Sequence, residues 1–289
     1  MSEHVKGLAL TTLGVLFIVP DSLFVRLIDA PAITTAFWRN LIAGALILAF
    51  VLATQGPRSI TSLAQTGRAG LAYLIFFGIA ASGFVLAVSL TSVANVVFIL
   101  AATPVFATVF SRIFLAEPIS MRMVLTMAGV FAGLGLILRG SHETVGASWQ
   151  GDLVALGVAA AFAAAMTALR VLRGRSMLAA VPVSLIGAAL VLLPFADVMG
   201  PLAAQWPLLL AHGAFIACAS SLMTMGPRYI TSAEVSLLLL LESVLAPLLV
   251  WALLGEDPGI WAIWGGAVVI AVLLISNLWL LMRFQSSRR

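Results

Sequence analysis

The sequence predicts an all-α polytopic membrane protein of ten transmembrane helices, arranged as two inverted five-helix repeats around a central cavity. Three observations predict it. The 289 residues are 62% hydrophobic and only 9% charged, with a mean hydropathy of +1.16, whereas a soluble domain is about a quarter charged. The apolar residues come in blocks of roughly twenty, the length a helix needs to cross a hydrocarbon core about 30 Å thick. The second half of the chain also repeats part of the first.

Cutting at charges, prolines and glycines places spans at about 5–27, 33–54, 69–89, 93–114, 121–139, 151–172, 178–197, 208–226, 233–253 and 260–283. The first is interrupted near its far end by Asp21 and Arg26 and has no A-x-A-like site after it, so it is not a cleavable signal peptide. Within it Pro20 lacks an amide hydrogen and its ring clashes with the preceding turn, which opens the helix there. The second span carries Arg39. Only Glu117-Pro118 and their neighbours separate the fourth from the fifth, and only Glu256-Asp257-Pro258 the ninth from the tenth. No connecting loop is long enough to be a domain. The single Cys218 lies inside the eighth span, where it makes no internal disulfide and reads as a small packing residue.

A shift of 139 residues superposes "ANVVFILAATPVFATVFSRIFLAEP" (94–118) on "AEVSLLLLLESVLAPLLVWALLGED" (233–257) without a gap. Seven of the 25 pairs are identical, and Glu117/Glu256 close equivalent helices. A weaker match at a shift of 144 sets Gly7 against Gly151 and Arg26 against Arg170. The chain therefore divides into repeats 1–145 and 146–289. Five helices per repeat is odd, so the second repeat enters the membrane from the opposite side, an arrangement that lets two near-equivalent halves exchange inward-open and outward-open shapes.

Twelve of the fifteen basic residues, Lys6, Arg58, Arg68, Arg112, Arg122, Arg170, Arg173, Arg175, Arg228, Arg283, Arg288 and Arg289, fall on one side of these spans. Positive residues accumulate on the cytoplasmic side, so both termini are expected in the cytoplasm of a cell inner membrane, with Gly140–Gly146 outside. The formal +4 charge is then a topology signal and calls for no nucleic acid.

Ionisable groups inside a membrane are costly and face the bundle interior or a water-filled cavity. Glu242 sits ten residues into the ninth span and cannot reach the interface. It reads either as a contact for a substrate amino group or a proton-coupling site, or as a structural carboxylate bonded to Ser243, to backbone near Pro247 or to an arginine. Asp21 caps the break at Pro20 or sits near the outer mouth. Arg39 pairs with a carboxylate or helix carbonyls and anchors the fold, or contacts substrate. Asn95, Ile99 and Ala102 share a face of the fourth helix, with Phe98 at its edge. Tyr73, Phe77 and Phe84 align on the third, Phe162 and Met166 on the sixth, and Phe215, Ser220 and Met223 on the eighth. Such stripes either pack helices or build a pocket for aromatic or branched side chains. His212 is a packed or interfacial histidine. Pro20, Pro104 and Pro247 are hinges or static kinks.

"TPVFATVFSRIFLAEPIS" and "LESVLAPLLVWALLGED" resemble the paired signature of the EamA-type drug/metabolite transporters, a Pro-Val-apolar run closing in Gly-Glu, with Leu-Glu-Pro-Val in the ninth helix. "FWRNLIAG" (37–44) is similar to the start of that family's second helix, and "GDLVALGVAAAFAAAMTALRVLR" (151–173) to its sixth. Two positions depart: Ser243 stands where the family has proline, and Ala116 where a glycine precedes the glutamate. The resemblance implies a ten-helix inverted-repeat carrier whose cavity is lined by the first, third, fourth, sixth, eighth and ninth helices. With "VPDSLFVRL" (19–27), it is closest to bacterial exporters of aromatic and other neutral amino acids. The expected partners are that substrate and the lipid bilayer, with the chain acting as a monomer, and no cofactor or metal is expected. The sequence shows no HExxH, GxSxG or GxxxxGK motif, so an enzyme or an ATP-driven pump is disfavoured. A carrier of cationic toxic compounds and a channel-like facilitator are the alternatives.

Overall fold

The computed structural model describes residues 3–140, 146–172, 177–226, 229–230 and 232–286. Arg173, Arg175, Arg228, Arg288 and Arg289, counted above for topology, lie outside the described residues, as does most of the 140–146 connection.

Among the described residues the regular structure is entirely helical: α1 (Glu3–Ile18), α2 (Asp21–Leu27), α3 (Ala32–Gln55), α4 (Arg58–Thr61), α5 (Gly67–Leu90), α6 (Val93–Leu100), α7 (Thr103–Leu115), α8 (Met121–Gly140), α9 (Trp149–Val171), α10 (Ala180–Leu192), α11 (Met199–Met225), α12 (Ser232–Leu254) and α13 (Ile260–Ser286). Nine helical stretches within them are long and apolar enough to cross a membrane, and Ala180–Phe195 is a shorter apolar helix. The sequence places the eighth span at 208, whereas α11 begins at Met199 and kinks at Gln205, whose φ/ψ of −133°/21° is not helical. Pro207 follows two residues later.

The breaks have local causes. α1 and α2 form one span interrupted at Val19-Pro20, where proline cannot donate and its carbonyl instead receives Phe24 N, 2.9 Å. α6 and α7 are likewise one span, parted at Ala101-Ala102. There Thr103 Oγ1 donates to the Leu100 carbonyl, 2.6 Å, and Pro104 occupies the first turn of α7. Proline removes an amide that a new helix start does not use. α12 runs through Pro247 without a break.

Arg26, Thr91, Ser148 and Glu256 meet at one end of the bundle, the far end. His4 and Glu234 meet at the other, the terminal end, from which α1 departs. The largest packing seams join α5 to α9, α8 to α13, and α3 to α10 and α11. The main apolar core runs from Phe84 and Val88 through Ile99 and Ile137 to Val158 and Val269. Cys218 is exposed on α11 rather than packed.

The α8–α13 seam closes on glycine. A Cβ built on Gly265 would lie 2.6 Å from the Gly133 carbonyl oxygen, and one built on Gly133 2.8 Å from that of Gly265. Close backbone approach of this kind is what small residues supply between membrane helices. Gly265→Val should therefore destabilise the protein by about 1–3 kcal/mol through overpacking. Thermal unfolding of the purified variant, compared with the parent, checks it.

Candidate functional site

The first-span break places Asp21 at the start of α2 with its side chain 3% exposed. Arg39, two turns into α3, meets it in a two-point contact: Nε donates to Oδ1 at 2.9 Å and Nη2 to Oδ2. The guanidinium also donates to the Ala81 carbonyl, 3.3 Å, and to Asn40 Oδ1, 3.2 Å, while Asn40 Nδ2 donates to Ser82 Oγ, 2.9 Å. His212 on α11 donates from Nε2 to Asp21 Oδ1, 2.6 Å, because a carboxylate only accepts. One carboxylate thus ties α2, α3 and α11 together, with α5 joined through Ala81 and Ser82. Counting about 1.5 Å per residue, Asp21 and Arg39 lie about 10 Å from the far ends of α2 and α3, and His212 about 10 Å beyond the kink at Gln205.

The constellation adds to what the sequence suggests for two of its members. Asp21 stands in the first turn of α2, buried and paired with Arg39 and His212 rather than open at an outer mouth. His212 is a packed histidine rather than an interfacial one, and it is also bonded to Asp21. Arg39 pairs with a carboxylate and a helix carbonyl. His212 Nδ1 and Ser22 Oγ are buried with no hydrogen-bond partner among the described residues. Around the histidine stand Phe24, stacked on it at 5.3 Å, and Phe215, 5.3 Å from Phe24 and 5.4 Å from Phe17. Phe17 and Phe24 escape the sequence reading because each sits on a span broken by proline, where helical spacing no longer predicts a shared face.

Glu242 is half-buried on α12 and makes no hydrogen bond or ion pair among the described residues. It lies within electrostatic reach of Asp21 and Arg39. Ala246, one turn on and so on the same face, packs with Val19 and Val97 beside the first-span break. Ser243 is buried next to it. Thr103, which occupies Glu242's register in the first repeat, sits at the α6–α7 break.

The remaining sequence candidates fall into other groups. Tyr73 stacks on Phe77 at 5.4 Å and Phe77 lies 6.2 Å from Phe162, with Met166 packed beside them. Phe98, Ile99 and Ala102 are in the main core, and a Cβ on Gly266 would strike the Phe98 ring. The Asn95 amide donates to both Asp152 oxygens at 3.0 and 3.2 Å. Met223 packs against Gly14, Phe84 lies under the Arg39 guanidinium at 5.7 Å, and Ser220 is half-buried, its carbonyl receiving Thr224 Oγ1.

The repeat offsets reappear as contacts. Arg26 pairs with Glu256 at the far end, Nε to Oε2 at 2.8 Å, and Arg170 with Glu117 at the terminal end, 3.4 Å. Gly7 abuts Gly226 and Tyr229 as Gly151 abuts Leu90 and Thr91. Ala116 and Gly255, each just before the paired glutamate, both have positive φ, 55° and 69°. A left-handed residue past a helix end is normally glycine, which accounts for the pattern that Ala116 breaks.

A helical bundle of apolar spans around a buried ionic cluster defines a multi-pass membrane protein. The EamA-like transporter family model matches residues 5–139 and again residues 149–278, and the chain belongs to that family. A solved structure titled only as a crystal structure of a protein has the same fold, with a TM-score of 0.64 at 18% identity over 95% of this chain and 97% of that one. A search of curated proteins finds no match.

Proposed function

We propose that this protein exports small metabolites, aromatic and other neutral amino acids first among them, across the cell inner membrane by alternating access of two inverted five-helix repeats. In this reading it works as a monomer with both termini cytoplasmic. The observation that carries it is the Glu242 carboxylate, without a hydrogen-bond or ion-pair partner among the described residues and within electrostatic reach of the Asp21–Arg39–His212 cluster. A carboxylate held inside apolar helices without a cation is a place for a substrate ammonium group. The aromatic group of Phe17, Phe24 and Phe215 supplies apolar and π surface against His212, as a neutral amino acid requires. The same acidic centre would suit a cationic compound, which is the second reading.

Counterflow in liposomes holding the purified protein tests both, using a panel of labelled amino acids and lipophilic cations. Saturable exchange of neutral amino acids is the expected result. Exchange of the cations alone would replace it with the second reading, and flux that neither saturates nor exchanges would make the protein a channel. Pro104→Ala should lower the turnover rate several-fold, roughly 1 kcal/mol in barrier height, with KM little changed, because it lets α6 and α7 join into a stiffer helix. Initial rates across substrate concentration separate the two constants.

A further inference from the structure

The two Arg–Glu pairs related by the repeat are not in the same state. At the far end, Glu256 and Arg26 do more than pair. Glu256 Oε1 also receives the Val93 amide, 2.7 Å, and Arg26 Nη2 donates to the Thr91 carbonyl, 2.9 Å. Together they staple α2 and α12 across the α5–α6 connection. The staple continues: Thr91 Oγ1 donates to Asp152, 2.8 Å, and receives the Ser148 amide, 3.1 Å, which brings in α9. Elements of both repeats are thereby joined in one network, with Arg26 and Glu256 only 23% and 21% exposed.

The terminal end is divided instead. Among the described residues Arg170 and Glu117 bond only to each other and to Ser111, which joins α7 to α9, and their side chains are 45% and 46% exposed. Separately, His4 reaches Glu234 at 2.6 Å and Lys6 lies over Tyr229 at 5.0 Å, which joins the start of α1 to the start of α12. Under the 139-residue shift, Thr91 and Val93 correspond to Ile230 and Ser232. Among the described residues neither Arg170 nor Glu117 contacts their backbone.

We infer that Arg26–Glu256 with the Thr91 carbonyl and Val93 amide is the closed far-end gate of transport, and that Arg170–Glu117 is its open counterpart, which closes on the Ile230 carbonyl and Ser232 amide. The inference rests on the alternating-access reading above. In the exchanged state the far-end staple is broken and the terminal-end staple is made, so the two compete for one protein. Ion pairs at a bundle end suit this exchange: while a gate is open both partners sit in water, which keeps them solvated and makes the two states close in free energy.

The test is maleimide labelling of Val97→Cys in a Cys218→Ser background, with the full chain in nanodiscs. Val97 lies one turn inside Val93, is 3% exposed and packs on Val19 and Ala246. Adding Glu256→Gln should speed labelling about tenfold, equivalent to about 1.4 kcal/mol lost from one of two states. Adding Glu117→Gln to that variant should return the rate toward the parent, because the competing state then loses its own staple. If Glu256→Gln does not fold, as thermal unfolding reports, Arg26→Gln carries the same expectation. Unchanged labelling in the folded far-end variant, or failure of Glu117→Gln to suppress the increase, overturns the inference. No substrate is needed, so a protein that moves no amino acid can still pass this test, and one that moves them can still fail it.

Discussion

Arg39→Met should destabilise the folded protein by about 3–5 kcal/mol, the cost of leaving a buried carboxylate without its cation. Both side chains are essentially sealed, 6% and 3% exposed, so water cannot replace the guanidinium. His212 remains on Asp21 Oδ1 but supplies one bond where Arg39 supplied two. The expected result is a large fall in the unfolding temperature of the detergent-purified variant. Asp21→Leu added to Arg39→Met should recover much of that loss, because a well-packed apolar pair is often as stable as a buried ionic one. Such a recovered double variant separates scaffolding from transport: if it also exchanges amino acids at the parent rate, the Asp21–Arg39 pair is structural alone.

Glu242→Gln is expected to leave the fold intact and to raise the substrate KM between about tenfold and a hundredfold, because a charge-assisted hydrogen bond contributes about 1.5–3 kcal/mol. No arginine or histidine bonds to this carboxylate among the described residues, so neutralising it breaks no staple of the bundle. If Glu242 instead passes protons, the Gln variant keeps its affinity and loses the dependence of flux on pH. Liposome flux of the parent and variant across pH distinguishes the two. Parent-like flux at every pH would remove Glu242 from both roles, and loss of folded protein would make it structural.

Much of the architecture is legible without coordinates because a hydrocarbon solvent imposes a simple rule: long apolar stretches become helices with internally satisfied backbones. The break after Ile18 follows from Pro20, and the equivalence of Arg26 with Arg170 and of Glu117 with Glu256 is visible as two offsets in the sequence. The ionic cluster is harder to read. Asp21 and His212 are 191 positions apart, and helical spacing relates residues on one helix, not on three. Depth carries the missing signal. Asp21 and Arg39 stand about two turns from a far-end connection and His212 about two turns from the kink at Gln205, and polar groups at one depth in a membrane protein find one another because nothing else there can satisfy them. Asn95 misleads for the opposite reason. It lies on the face expected for a pocket, yet its amide is taken up by Asp152, a neighbour that periodicity on α6 does not reveal.

The glycine-to-carbonyl contact between α8 and α13 leaves no clearance for one helix to slide along the other. Arg122 over Trp279 and Arg139 over Trp261 pin the same pair, at 5.8 Å and 4.3 Å. Each of these helices is the last of its matched region, 5–139 and 149–278. The α8–α13 seam is therefore one rigid edge between the two regions, which also meet along α5 and α9 and where α3 packs on α10 and α11. Along this edge the two helices behave as a single unit, because a slide of either would drive a backbone carbonyl into a glycine of the other.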